Sequence, residues 1–171
     1  DVEGAIEAYR AALRFDPDSS PALASLQRLF SAHQRWEDLA EIQQLQLDAT
    51  YDDEQRSALL KARAENLWHN LSRPEDALRL YEERLNIDES DASAYEPLEK
   101  LLMQLSKIDL LVQVMERKLD TVSLDDTVKI SELKRAAELA KQLGDYHRSA
   151  DFIRSVLEID DQDEEEDDPM I

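Results

Sequence analysis

The sequence predicts an all-α fold: a right-handed α-solenoid of about nine helices laid as antiparallel hairpins. Three observations predict it. An amphipathic stretch, clearest at residues 74–88, recurs at 3–16, 37–50, 109–122 and 147–160. The place held by Ala77 is taken by Ala5, Leu39, Leu111 and Ser149, in steps of 34, 38, 34 and 38 residues. A fixed period of this length marks a helical repeat array. The place of Leu85 is leucine in every copy, Leu13, Leu47, Leu119 and Leu157, and the place of Leu80 is always apolar, as Ala8, Ile42, Val114 and Phe152. Only 2 Gly and 5 Pro in 171 residues argue against a loop-rich β domain, while the long runs of Ala, Leu, Glu, Lys, Arg and Gln favour helix.

The elements follow in order. Ala5, Ile6, Tyr9, Ala12 and Leu13 make the apolar stripe of a first helix over Val2–Phe15, which the Asp16–Pro17 pair stops. Ser19 or Ser20 caps a second helix with Pro21 in its first turn, running to about His33 with Leu23, Leu26, Leu29 and Phe30 inward. Trp36 opens the third helix. The step then lengthens by 4 residues, about one helical turn, which is assigned to the connection 49–53 and a longer fourth helix over 53–71. In the fifth, Pro74 suits the first turn, and Glu75 and Asp76 suit the positive end of the helix dipole. The next four repeat helices two to five with an offset of 72: Leu26, Leu29 and Phe30 return as Leu98, Leu101 and Leu102, and Ala64, Leu67 and Leu71 as Ala136, Leu139 and Leu143. Pro97 lies inside the sixth helix and predicts a bend or an irregular first turn there. Gly144 is a suitable helix stop and Asp145 a suitable cap before the last helix, which is expected to end near Ile159. Residues 1–160 thus read as the helical repeat domain, and 161–171 as an acidic, disordered tail.

The formal charge is −20, and eight acids fall between Asp160 and Asp168. Outside that run, 32 acids against 20 bases still leave an excess of 12. Nucleic acid is therefore not an expected partner, because phosphate binding needs Lys and Arg to displace counterions. No run of eighteen apolar residues exists, so no membrane span is expected. The absence of Cys removes disulfides, thiolate zinc sites and a thiol nucleophile, and it fits a reducing, cytoplasmic setting as well as others. The chain opens at Asp1 with a helix that has no preceding partner, and reads as a piece of a longer protein. That end is expected to expose apolar surface around Ile6, Tyr9 and Leu13 and to support weak self-association through the solenoid ends.

Catalysis and cofactors are not predicted. His33, His69 and His147 lie on separate hairpins, in no spacing that suits a metal pair or a nucleophile's base. Two glycines cannot build a phosphate loop. Asp161 and Asp163 have calcium-loop spacing without the glycine that turns such a loop. No metal is expected. Trp36 and Trp68 stand at core-like positions. The acidic run reads as solvated tail, as a ligand for a basic partner, or as the start of a further repeat.

These residues resemble the tetratricopeptide repeat, a helix–turn–helix unit of 34 residues. Ala5, Tyr9, Ala12 and Pro17 match the family's second-helix pattern, and Ala77 with Tyr81 matches half of it. Leu23, Leu26 and Phe30, then Tyr95, Leu98 and Leu102, fill its first-helix places, while Gln27, Glu65, Glu99 and Ala137 stand where the family crosses helices on glycine. The resemblance implies a concave groove lined by the first helices. Its lining places fall on Arg28; on Asn66, His69 and Asn70; on Lys100 and Met103; and on Lys134 and Lys141, with Glu96 and Glu138 also among them. It implies a non-enzymatic scaffold that binds a peptide or helix of a partner protein in that groove, through hydrogen bonds from those amides and cations. The family's chaperone-tail clamp is not expected, because Ala62 stands where it needs Lys. The alternative is a structural spacer or self-association segment.

Overall fold

The computed structural model describes residues 1–166, with side chains through Ile159. Among the described residues there are nine helices and no strand. The chain divides into two units at Ile87/Asp88. The first holds α1 (Val2–Phe15), α2 (Ser20–Ala32), α3 (Trp36–Asp48), α4 (Asp53–Glu65, extended by a π-helical turn Asn66–Asn70) and α5 (Pro74–Ile87). The second holds α6 (Ala92–Gln104), α7 (Ile108–Thr121), α8 (Asp126–Gln142) and α9 (Tyr146–Glu166). Within each unit every helix packs on the next in the chain. The hairpins are α2/α3, α4/α5, α6/α7 and α8/α9. The lengthening by 4 residues falls in α4 and α8, as the spacing predicts.

The hairpin turns share one backbone device. Gln34, Ser72, Ser106 and Gly144 have φ of 54°, 54°, 55° and 80°. They lie 38, 34 and 38 residues apart, the period of the sequence itself. Arg35, Lys107 and Asp145 then donate their N–H groups back to the carbonyls of Phe30, Leu102 and Ala140, the closure that ends a helix on a left-handed residue. Only Gly144 adopts that conformation without a Cβ penalty. Ser106→Gly should therefore stabilise the second unit by about 1 kcal/mol, read from the urea unfolding midpoint. A midpoint that stayed put or fell would show that the turn carries no such strain.

The π turn has a cause in chain length. From the N-cap Asp52 to Ser72 is 20 residues, and from the equivalent cap Asp125 to Gly144 is 19. α4 must hold one residue more between the same two landmarks, and the wider turn Asn66–Asn70 absorbs it, with Leu71 N–H bonded to the Asn66 carbonyl.

Two expectations at the ends are corrected. Ile6 is not exposed: α1 lies on α2, and Ile6 is buried with Leu23, Leu26, Phe30, Leu39 and Ile42, while Tyr9 and Leu13 pack half-buried against that cluster. Leu157 is not sheltered like its repeat partners: Leu47 and Leu85 are buried, Leu13 and Leu119 half-buried, and Leu157 is exposed. α9 also runs to Glu166 rather than ending near Ile159. The disorder expected of the acidic tail falls, for residues 167–171, outside the described residues. α6 keeps Pro97 inside a continuous helix. Its first turn is the irregular part: Ala94 N–H bonds the Asp91 carbonyl three residues back, and the Asp91 carboxylate accepts from Ser93 N–H.

Candidate functional site

α2 and α4 of the first unit both pack on α3, and residues of all three helices line a groove of two hollows. Its first hollow, about 390 Å³, is lined from α2 by Ser20, Leu23 and Ala24, from α3 and its end by Gln46, Ala49 and Thr50, and from α4 by Gln55, Ala58 and Leu59. No lining residue there is charged. The second hollow, about 360 Å³, lies toward the π turn, with Gln27, Trp36, Gln43, Ala62, Asn66, His69 and Asn70 in its wall and Glu65 as its carboxylate. The Gln46 amide donates to Gln27 at 2.7 Å and joins the floors of the two hollows.

The π turn organises the second hollow. Asn66 is buried; its amide donates to the Trp36 carbonyl at 3.0 Å and to Gln43 Oε1 at 3.3 Å, and its own oxygen accepts from the Asn70 amide at 3.1 Å. His69, exposed, stacks on the Trp68 ring with centroids 4.5 Å apart. The tryptophans expected in the core are both half-buried, and Trp36 serves core and groove wall together.

Of the residues predicted from sequence, Asn66, His69 and Asn70 meet in this hollow. Arg28 is exposed on α2 beside Gln27. Lys100, Met103, Lys134 and Lys141 are exposed on α6 and α8, the corresponding pair of helices in the second unit, and Lys100 is held by Glu96 at 2.6 Å. Pattern reading missed Gln27, Gln43 and Gln46. Their signal was available: three polar residues at places where the 72-residue duplicate and the other hairpins carry side chains that meet across helices.

The duplicate has a different chemistry at those places. Gln27 and Gln46 correspond to Glu99 and Lys118, 72 residues later; before the π turn α4 holds one residue more, so Glu132 and Arg135 correspond to Leu59 and Ala62, 73 residues earlier. Lys118 Nζ lies 3.0 Å from Glu99 and 2.9 Å from Glu132, and Arg135 reaches both carboxylates. Glu99 is buried, and Lys118 is only 14% exposed. Burial pulls the Lys118 pKa down, but hydrogen bonds to Glu132 and Glu99 more than offset it and hold the ammonium above its ordinary value. Gln27 and Glu99 stand where the repeat family has its crossing glycine, and both use that place to bond across to the next helix.

Among the described residues no group of three His, Cys, Asp or Glu could hold a metal ion, and no helix is long and apolar enough to cross a membrane. His147 sits on α9 with Asp151 at 2.9 Å, away from any other histidine in sequence.

No protein-family model and no curated protein matches this sequence. Solved structures do. MamA superposes with a TM-score of 0.53 at 15% identity, over 96% of this chain and 92% of that one. YrrB, described as a TPR protein with an unusual peptide-binding site, gives 0.54 at 14% identity, over 92% and 77%. The nearly identical TPR-like repeats of a Podospora anserina putative kinesin light chain give 0.52 at 14%, over 94% and 88%. The chain has the tetratricopeptide-repeat fold. In TPR terms α2, α4, α6 and α8 are the first helices of four hairpins, and α1 stands in the place of a second helix.

Proposed function

We propose that this TPR chain is a non-enzymatic protein-interaction scaffold and that the α2/α4 groove holds a segment of a partner protein. The observation that carries this reading is the groove itself: an uncharged, largely apolar first hollow that leads into a ring of amides set by the π turn. Such a lining suits a peptide that buries small apolar side chains while its backbone bonds to amides. π turns inside helices often mark functional sites. YrrB, of the same fold, is itself described as carrying a peptide-binding site. Asn66 acts as the internal brace; Gln27, Gln43, His69 and Asn70 present the polar contacts. In the second unit Lys100, Met103, Lys134 and Lys141 are exposed on the first helices α6 and α8, where the lysines would contact acidic side chains of a partner.

A random-peptide display library panned on the chain provides the test. Peptides that use the groove should lose roughly tenfold or more in affinity to Ala62→Trp, whose ring fills the second hollow, at unchanged helical circular dichroism. Acidic peptides should also weaken on Lys100→Glu with Lys134→Glu. Selected peptides that bind wild type and Ala62→Trp equally would reject the groove.

A further inference from the structure

α9 has two apolar faces, and only one is used. It packs on α8, with Phe152 and Val156 buried. Tyr146, Ala150, Ile153 and Leu157, spaced 4, 3 and 4 residues apart, form a second stripe; Tyr146 is 70%, Ile153 44% and Leu157 56% exposed, and Ala150 is exposed as well. The same register is covered elsewhere. Ala150, Ile153 and Leu157 stand 72 residues after Leu78, Tyr81 and Leu85, all buried, and 38 after Val112, Met115 and Leu119, of which the first two are fully buried. In α3 and α7 this register belongs to helices that the following first helix, α4 or α8, packs against. The stripe is therefore shaped for a helix, and its 4-3-4 spacing is that of a helix–helix seam.

Charge decides which helix. Asp145 and Glu158 border the stripe in sequence, Asp151 is taken up by Arg154 and His147, and eight acids follow between Asp160 and Asp168. The cations of α9 are already engaged: Arg148 with Glu116, Arg154 with Asp151 at 2.8 Å. A second copy would bring two such acidic rims together, on chains of formal charge −20 each. We propose that the outer face of α9 docks an amphipathic helix of a partner protein, with a leucine-type seam and Lys/Arg flanks. This surface is independent of the α2/α4 groove.

The test uses the whole chain and three labelled synthetic helical peptides in fluorescence anisotropy at about 0.15 M salt. One has a leucine seam with lysine flanks, one the same seam with glutamate flanks, and one lysine flanks with alanine in the seam. The first should bind, and the other two should bind at least roughly tenfold more weakly. Ile153→Asp with Leu157→Asp should weaken the first peptide roughly tenfold or more, although the added carboxylates attract lysine; Ala62→Trp should leave it unchanged. Equal binding of the glutamate-flanked peptide, equal binding of the alanine-seam peptide, or an unaffected Ile153/Leu157 double variant would each overturn the proposal. So would a concentration-dependent dimer in sedimentation that the double variant abolishes, which would make the occupant a second copy.

Discussion

Lys118→Met is expected to destabilise the second unit by about 3 kcal/mol, seen as a lower urea midpoint for that unit. The lysine lies between Glu99 and Glu132, and its removal leaves two carboxylates under the same cover with Arg135 alone to compensate. The penalty is that of an unbalanced buried charge rather than of one lost bond. The first unit supplies the control. It folds the same places with Gln27, Gln46 and Leu59, so Glu99→Gln, Lys118→Gln and Glu132→Leu together should recover most of the loss. A single variant as stable as wild type, or a triple no better than the single, would show that these groups are effectively solvated. The same lysine fixes an alkaline limit. Its folded pKa is raised, so its contribution is complete below the ordinary amine value of 10.5 and disappears as pH rises through the folded value. Tyr81 acts in the same direction: burial pushes its phenol up to about 12, while the unfolded chain already ionises near 10. Stability should fall from about pH 10 upward, and Lys118→Met should flatten part of that slope.

Phe30→Ala should cost the first unit about 3–5 kcal/mol in thermal or urea unfolding. Phe30 is fully buried at the centre of the cluster that joins α1, α2 and α3. Two guanidinium groups cover its ring, Arg10 at 5.5 Å and Arg35 at 5.0 Å from the centroid. Both are fixed by Asp38, and Arg35 also by Glu3, so the ring sits under a polar lid that an alanine cannot support. Phe30→Leu should cost far less, about 1 kcal/mol, because Leu102 fills the same place in the duplicate. If alanine proved as mild as leucine, the cluster would not be the core of that unit.

Helix number, hairpin order and the alternation of 34 and 38 were legible because they rest on apolar periodicity, which burial enforces at every rung. What stayed hidden rests on single residues. Three of the four left-handed turn residues are Gln34, Ser72 and Ser106, which carry no turn signature; only Gly144 announced itself. The Glu99–Lys118 pair was not legible, since nothing local in a helix separates a charge that faces water from one that faces its partner. Asn66 and Asn70 were placed on the groove by the repeat pattern, but the π turn that draws Asn66 inward comes from one surplus residue in α4, a difference visible only when both ends of the helix are known. The exposed α1 stripe was expected because its missing partner was counted and α2 was not.

Within each unit the packed helix pairs are neighbours along the chain, and ion pairs such as Arg10–Asp38 and Glu99–Arg135 reach no further than the next helix but one. Loop closure then carries little entropic cost, and structure formation can start at any hairpin and spread outward. Such a unit should assemble in microseconds to milliseconds, far ahead of a β-sandwich of equal length.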